Sequence, residues 1–518
     1  MKTNKLIFCI SLIMITFFSC DSFLEEEPRD IISPDNFFAS DADARQGMTG
    51  IYSLLKNNSI YGQAGLDNWY DNGVDIIEPN RTHPIFEVMG NYTLSEVTAD
   101  LSNQLMSVSD TWQNLYRVIL NTNTIIERVS GNGAISEDVQ TDVIADARFI
   151  RGMAYWHITN LWGDAPFYTE VLPLEEIAKL ERTDQAVIIA SVLDDLEFAQ
   201  NNLPSVFPEE DRGRASKWAA AIIEAKIHMK AKNWQAGLDK CLEIINQSPH
   251  SLLSNYADVF DPNNEYNAEI IWSLDFAKDI TGMFEPAFPG RSFAGNNYWR
   301  PSLFNPRIRD EPANATDRDP LRAALAANGE EFNGTGLQIA SKDFVENFPI
   351  NDLRRPLNIM DSYEGFQLNH TYMPKFMNLN FETSPRFNHG DNRLVFRLAD
   401  VYLMAAECEN ELNGPANAYQ YIHPIRQRAY TDQADWELVG LSQQEFREAI
   451  YDERKWELAA EATRRYDLIR WGIYLDVVRN AEFKTYTPGA NIQDYHVLLP
   501  IPLNELLLNP NLTQNPGY

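Results

Sequence analysis

The chain has 518 residues, with 74 Asp and Glu against 43 Lys and Arg, a formal net charge of −31 at pH 7 and a mean hydropathy of −0.36. Such an acidic surface repels phosphate backbones and argues against nucleic acid as a partner, because affinity there comes from Lys and Arg neutralising phosphates; neutral ligands stay compatible. Only four cysteines are present, too few and too scattered for a disulfide framework.

At the N-terminus Lys2 and Lys5 precede the apolar run Leu6–Phe18, and Ser19 then puts a small residue before Cys20. This reads as a secretory signal peptide over residues 1–19. An apolar stretch of about a dozen residues falls short of the ~20 needed to span a bilayer as a helix. Cys20 is the expected lipidation site, and the acidic cluster Asp21 and Glu25–Glu27 follows it, compatible with surface export or with inner-membrane retention. Removing the leader takes Lys2 and Lys5 and no acid, leaving 41 basic and 74 acidic side chains, net −33. Cys241 and Cys408 then remain, both on apolar helical stripes that read as core thiols.

No linker or low-complexity run divides residues 20–518, which read as one domain. A helical scaffold is expected over about 36–60, 105–250 and 395–475, with irregular ligand-binding loops over about 61–104 and 251–394. The first loop, Tyr61–Ser95, is rich in aromatic residues, Asn, Asp and Gly. Val143, Ala147, Ile150, Ala154, Ile158 and Leu161 then recur at helical spacing, with Gly163 and Pro166 as the stop. Ser216, Ala219, Ile223 and Ile227 open a hairpin that turns near Asn233 and continues on Trp234, Leu238, Cys241, Leu242 and Ile245. Its small residues early and a large one opening the second helix resemble tetratricopeptide-type repeats, without the strict 34-residue consensus. From about Ser251 to Gly390 helical periodicity gives way to Asn, Pro, Gly and aromatic residues, as in FEPAFPGRSFAGNNYWRPSLFNP. Leu398, Val401, Ala405, Cys408 and Leu412 form another stripe, ended by Gly414-Pro415, and a helix around Tyr419–Tyr430 can pair with it.

Ser442 with Glu445 forms a capping box, so a long interior helix is expected from there through Phe446, Ile450, Leu458 and Ala459 toward Arg465. Its charges sit at three- and four-residue spacings, which predicts the local pairs Arg454–Glu457, Glu461–Arg465 and Asp467–Arg470.

The string YDERKWELAAEATRRYDLIRWG resembles the SusD/RagB family, cell-surface nutrient-binding lipoproteins named for the D component of a starch-utilisation system. ARFIRGMAYWHITNLWGDAPFYTE at Ala147–Glu170, RLADVYLMAAE at Arg397–Glu407 and the terminal LLPIPLNELLLNPNLTQNPGY are similar to the family pattern in the same order. One departure is Ala462-Thr463, where the family usually places a Gly before the basic pair. The resemblance implies a mainly α, tetratricopeptide-like scaffold with long irregular insertions forming the ligand-binding face. It also implies a surface-exposed lipoprotein that captures oligosaccharide and delivers it to a TonB-dependent, SusC-like transporter without cofactor or catalysis. A peptide-importing member of the same family and a scaffold without small ligand are the alternatives.

Sugars present apolar C–H faces beside rings of hydroxyls, so their sites combine aromatic plates with hydrogen-bonding side chains. Asp67, Asn68, Trp69 and Tyr70, with Arg81 further on, supply that combination in the first loop, and Asn296, Tyr298 and Trp299 in the second. In the family, aromatic residues from such loops form an arc against the glycan. Glu453, Glu457 and Glu461 invite a glycosidase reading, but the adjacent Arg454, Arg464 and Arg465 would depress carboxylate pKa values, the wrong direction for a general acid. Arg148, Arg151 and Asp164 are likewise expected to lock helices together. No G-x-S-x-G, H-E-x-x-H or phosphate-loop motif occurs, and the eight histidines lack ligand spacing. Asp261-Pro-Asn263-Asn-Glu265 alternates oxygen ligands without the Gly and terminal Glu of a calcium loop, so no metal site is assigned.

Overall fold

A computed structural model describes residues 37–62, 65–80, 84–101, 107–277, 300–380 and 389–518. Its framework is a stack of antiparallel helices: α1 (Asp41–Leu55), α2 (Gly65–Asp71), α3 (Val108–Val129), α4 (Glu137–Trp162), α5 (Gln185–Asn202), α6 (Lys217–Lys230) and α7 (Trp234–Gln247). After a long insertion the stack resumes with α8 (Leu398–Asn413), α9 (Pro415–Ala429), α10 (Gln443–Glu457) and α11 (Arg464–Arg470). Each of α3 to α9 packs on the next, and α10 packs on α8 and α9. Thus α7 meets α8 directly although about 150 residues separate them in sequence, and the repeats are split in the chain but contiguous in space.

Local signals set these boundaries. Gly163 caps α4 at φ 75° and Gly414 caps α8 at φ 80°, left-handed positions that favour glycine. Ser107 and Ser442 open α3 and α10 with capping boxes closed by Asp110 and Glu445. Cys241 and Cys408 are buried free thiols where α7 packs on α8. Arg148 and Arg151 of α4 both grip Asp195 of α5, and Asp164 accepts the Gln185 N–H at 2.9 Å, so these residues lock helices together.

The strands are short two-stranded ladders, all antiparallel: β1 (Ile77–Pro79) with β5 (Gln338–Ala340), β2 (Ala165–Pro166) with β3 (Arg182–Thr183), β4 (Ile270–Leu274) with β8 (Arg393–Arg397), and β6 (Met360–Tyr363) with β7 (Phe366–Tyr372). The β4–β8 pair clamps the two ends of the insertion at the edge of the stack. Within it, Leu321, Leu325, Phe332, Ile339, Leu368 and Tyr372 form a small core of their own.

Two expectations are overturned. The helix opened by Ser442 stops at Glu457, and α11 begins afresh at Arg464. Ala460 (φ 61°) and Ala462 (φ 62°) break it, and the Asp71 carboxylate accepts the N–H groups of Ala462, Thr463 and Arg464, capping α11 from outside. Ala462, standing where the resembling family places Gly, occupies backbone space that Gly fills without strain.

The charged residues, second, find long-range partners. Arg454 pairs with Asp400 and Asp467, Glu461 with Arg397 and Lys375, and Arg465 donates to the Tyr474 hydroxyl and the His496 carbonyl; of the three expected pairs only Asp467–Arg470 forms. Around Glu457 the result is a closed network. Asp352, Glu453, Glu457, Glu461 and Glu269 balance Arg354, Arg397, Arg426, Arg428 and Lys375, a neutral set in which all but Arg426 are at most 4% exposed in the side chain. It draws together α10, α9, β8, the 352–354 turn and the 374–376 turn.

Candidate functional site

The first irregular loop is not an exposed platform. All seven residues of α2 are buried. Trp69 is 3% exposed and donates its indole N–H to Thr111 Oγ1 at 2.9 Å; Tyr70 is 4% exposed and its hydroxyl meets His157 Nδ1 at 3.1 Å. Burial lowers the His157 pKa to about 3, so the ring is neutral between the hydroxyls of Tyr61 and Tyr70. Asp67 pairs with Arg300 and Arg393, and Asn68 accepts from Gln338 at 2.6 Å. These four side chains were expected to face ligand; instead Asp67 and Asn68 tie the early segment to the late insertion, and Trp69 and Tyr70 tie it to α3 and α4. The physical reason is register: a single helix of seven residues, enclosed on every side, buries polar and aromatic residues alike. Asn68 and Trp69 do border a crevice of about 40 Å3 with Tyr92, Arg465 and Tyr518. Arg81, Asn296, Tyr298, Trp299 and Cys20 lie outside the described residues.

The combination sought in those loops occurs elsewhere. A cleft of about 80 Å3 opens between the 259–267 turn, the 374–378 turn and the strand ends at Asp391–Leu394, with Pro301 at its side. Two half-buried rings line it, Phe260 and Phe376, edge to face at 5.5 Å. Cations back both rings: the Lys375 ammonium lies 4.5 Å from the Phe260 centroid, and the Arg300 guanidinium 3.9 Å from that of Phe376. Lys375 is wholly buried on the scaffold side, donating to the carbonyls of Glu457 and Ala459 at 3.0 Å and pairing with Glu461. Burial drives its pKa down to about 8 against the pull of Glu461. The ion network around Glu457 therefore reaches the floor of the cleft and fixes its aromatic plates.

Hydrogen-bonding groups surround the plates. Asp261 accepts the N–H and side-chain amide of Asn263 at 2.8 and 3.0 Å, a turn closed on itself. Asn378 donates to both oxygens of Asp391 at 3.2 Å, and Glu265 accepts the Asn392 N–H at 2.5 Å. Partial desolvation of the carboxyl, with Asp391 and Asp275 nearby, raises the Glu265 pKa to about 7, and burial raises that of Asp391. Rings, amides and carboxylates at one cleft can stack an apolar face and accept or donate to hydroxyls.

Sequence reasoning missed Phe260, Tyr266, Lys375, Phe376, Asn378 and Asn392. The available signal was the turn cluster Asp261–Glu265 beside an aromatic residue, weighed only as a calcium loop. MPKFMN, which supplies Lys375 and Phe376, carries no motif. The conspicuous Glu453, Glu457 and Glu461 are wholly absorbed in ion pairs. Burial alone would raise the Glu457 pKa, but Arg428, Arg397 and Arg354 more than offset this and hold it well below the usual range; Glu461 is lowered in the same way by Arg397 and Lys375. Neither is poised to donate a proton at neutral pH.

A stack of helix pairs bearing an insertion-built cleft defines a tetratricopeptide-like protein. Residues 350–518 match the model of the SusD family, and residues 31–229 match a model described as "Starch-binding associating with outer membrane". SusD-like protein P25 of Formosa agariphila is 64% identical over 527 residues, covering 100% of both chains. The starch-binding protein SusD of Bacteroides thetaiotaomicron is 24% identical over 425 residues, 72% of each chain. Among solved structures, surface glycan-binding protein A from Bacteroides thetaiotaomicron in complex with laminarihexaose superposes with a TM-score of 0.73 at 19% identity, over 92% of this chain and 99% of that one. The chain belongs to the SusD family.

Proposed function

We propose that this protein is a glycan-binding lipoprotein of the outer-membrane surface, captures oligosaccharide without cleaving it, and passes it to a TonB-dependent transporter. The cleft carries the reading: two cation-backed phenyl rings beside Asn378, Asn392 and Asp391 match a sugar's apolar face and hydroxyl rim. Two relatives described by their ligands, one binding laminarin and one in complex with laminarihexaose, support the glycan over the peptide alternative. The family description "associating with outer membrane" supports the location, and lipidation at Cys20 supplies the anchor. Tyr298 and Trp299 remain part of the proposal as further plates; Trp299 precedes the cleft residue Pro301 by two positions.

Native electrophoresis of the detergent-solubilised full-length chain through gels containing laminarin, starch, xylan or alginate tests this. Retardation in one gel, lost in a Phe260→Ala, Phe376→Ala variant and weakened in Trp299→Ala, is the expected result. Free migration of the wild type in every gel refutes it, and release of reducing sugar on long incubation refutes the non-catalytic part.

A further inference from the structure

The turn that feeds Asp352 and Arg354 into the ion network carries the opposite chemistry on its outer side. Asp352 and Arg354 are 3% and 0% exposed, whereas Ile350 and Leu353 are 80% and 55% exposed and Pro356 is exposed beside them. Charged side chains point inward here and aliphatic ones outward, the reverse of what solvent selects. A single exposed aliphatic residue needs no explanation, but three within residues 350–356 make a patch of the kind that marks a protein contact.

The patch is held from several directions by bonds in which its own side chains take no part. Arg354 donates to Asp352 and Glu453 at 2.6 Å and to Glu457 at 2.7 Å. The Leu353 N–H donates to the Ala429 carbonyl at the end of α9 at 2.8 Å, and Arg355 donates to the Phe348 carbonyl at 2.8 Å. Phe348, just ahead of the turn, packs on Trp456 of α10 with ring centroids 4.8 Å apart. Ile350 and Leu353 are thus presented on a fixed backbone, which lowers the ordering cost of docking.

The surrounding charge selects the occupant. Glu346, 62% exposed in its side chain, lies near the end of the helix Lys342–Asn347 just before the turn, and Asp432 is exposed three residues after Ala429. The cations nearest in the chain are engaged, Lys342 with Glu482 and Arg355 with the carbonyls of Val345 and Phe348. An apolar centre with an acidic rim, on a chain of net charge −31, repels a second copy of itself and an anionic bilayer surface. It complements an apolar pocket rimmed by Lys or Arg on another protein.

We infer that the 350–356 turn is the docking point for a partner protein offering such a pocket, with Ile350 and Leu353 as its anchors. This rests on the transporter reading and deepens it: the pocket belongs on the transporter's outward face. The network that reaches the floor of the glycan cleft through Lys375 and Glu461 then also braces the contact with the partner through Arg354.

The test expresses the tagged full-length chain in its native host, purifies it from outer membranes in mild detergent and quantifies the co-purifying TonB-dependent transporter by mass spectrometry. Ile350→Glu with Leu353→Glu is expected to lower the recovered transporter about tenfold or more, as loss of central interface anchors does. Leu174→Glu, at a residue also 80% exposed but outside the turn, should leave recovery unchanged. Both variants should melt like wild type and match its migration in the polysaccharide gels, which separates docking from the cleft. With p-benzoylphenylalanine in place of Ile350, light should cross-link the chain to a transporter segment that carries Lys or Arg. Undiminished transporter in the double variant overturns the docking point while the transporter reading stands. So does a cross-link to a second copy, to lipid or to a segment without basic residues. If the wild type brings down no transporter, the transporter reading falls and the docking point falls with it.

Discussion

Replacing Glu457 by Gln keeps the shape of the side chain and removes one negative charge from a buried network of zero net charge. The carboxylate accepts from Arg354 at 2.7 Å and from Arg397 and Arg428 at 2.6 Å, and is fully buried. An amide can still accept from a guanidinium, but it also brings two N–H donors against three cations. Breaking a buried pair leaves an uncompensated charge and costs about 3–5 kcal/mol. With about 2.1 cal/mol/K of unfolding entropy per residue, 518 residues convert about 4 kcal/mol into a fall in Tm of about 4 °C. Differential scanning calorimetry at pH 7 reads it, with Glu448→Gln on the exposed face of α10 as the control, expected within about 0.5 kcal/mol of wild type. The folded-state pKa of Glu457 is depressed, so its contribution is complete above about pH 4.5 and is lost as the pH falls toward the depressed value. The gap between wild type and variant should therefore narrow in acid. Equal melting of the two proteins at pH 7, or a gap independent of pH, would refute the claim that this network holds the insertion to the scaffold.

Glu265→Gln should act in the opposite sense. Its folded pKa of about 7 lies above the unfolded value, so its contribution is present below about pH 4.5 and lost as pH rises through 7; the variant should melt above wild type at pH 8 and close to it at pH 5, and an equal offset at both would contradict this. Ala462→Gly relieves a left-handed alanine at φ 62° and returns some unfolded-chain entropy, for a net gain of about 0.5 kcal/mol in urea unfolding; a loss exceeding about 1 kcal/mol would mean the alanine methyl matters more than the strain. Trp69→Ala should destabilise by about 3–5 kcal/mol while the folded fraction still migrates like wild type in a polysaccharide gel, whereas selective loss of retardation would return Trp69 to the ligand face.

Most of the scaffold was legible because a helix writes its buried face at a fixed period and its ends in capping residues. Val143 to Leu161, Ser216 to Ile245 and Leu398 to Leu412 fell in helices for that reason, and Gly163, Gly414, Ser442 and Glu445 marked ends correctly. The cleft was far less legible. Its plates come from turns more than 100 residues apart, Phe260 and Phe376, and neither turn has a period or motif. Asp67–Tyr70 looked like ligand-binding residues because a polar and aromatic composition is shared by exposed sugar sites and by buried segments whose polar groups are fully paired.

What the sequence by itself determined was therefore the local: which stretches are helical, where they stop, that Cys241 and Cys408 are core thiols, and that the acids of α10 pair with arginines. Tertiary structure alone decided the partners. Glu461 found Arg397 and Lys375 instead of Arg465, Asp71 found the N-terminus of α11, and α7 found α8 across the whole insertion. The reason is that helical spacing constrains which side chains are neighbours on one helix, whereas a buried charge must be paired by whatever opposite charge the packing of distant segments brings within hydrogen-bond reach.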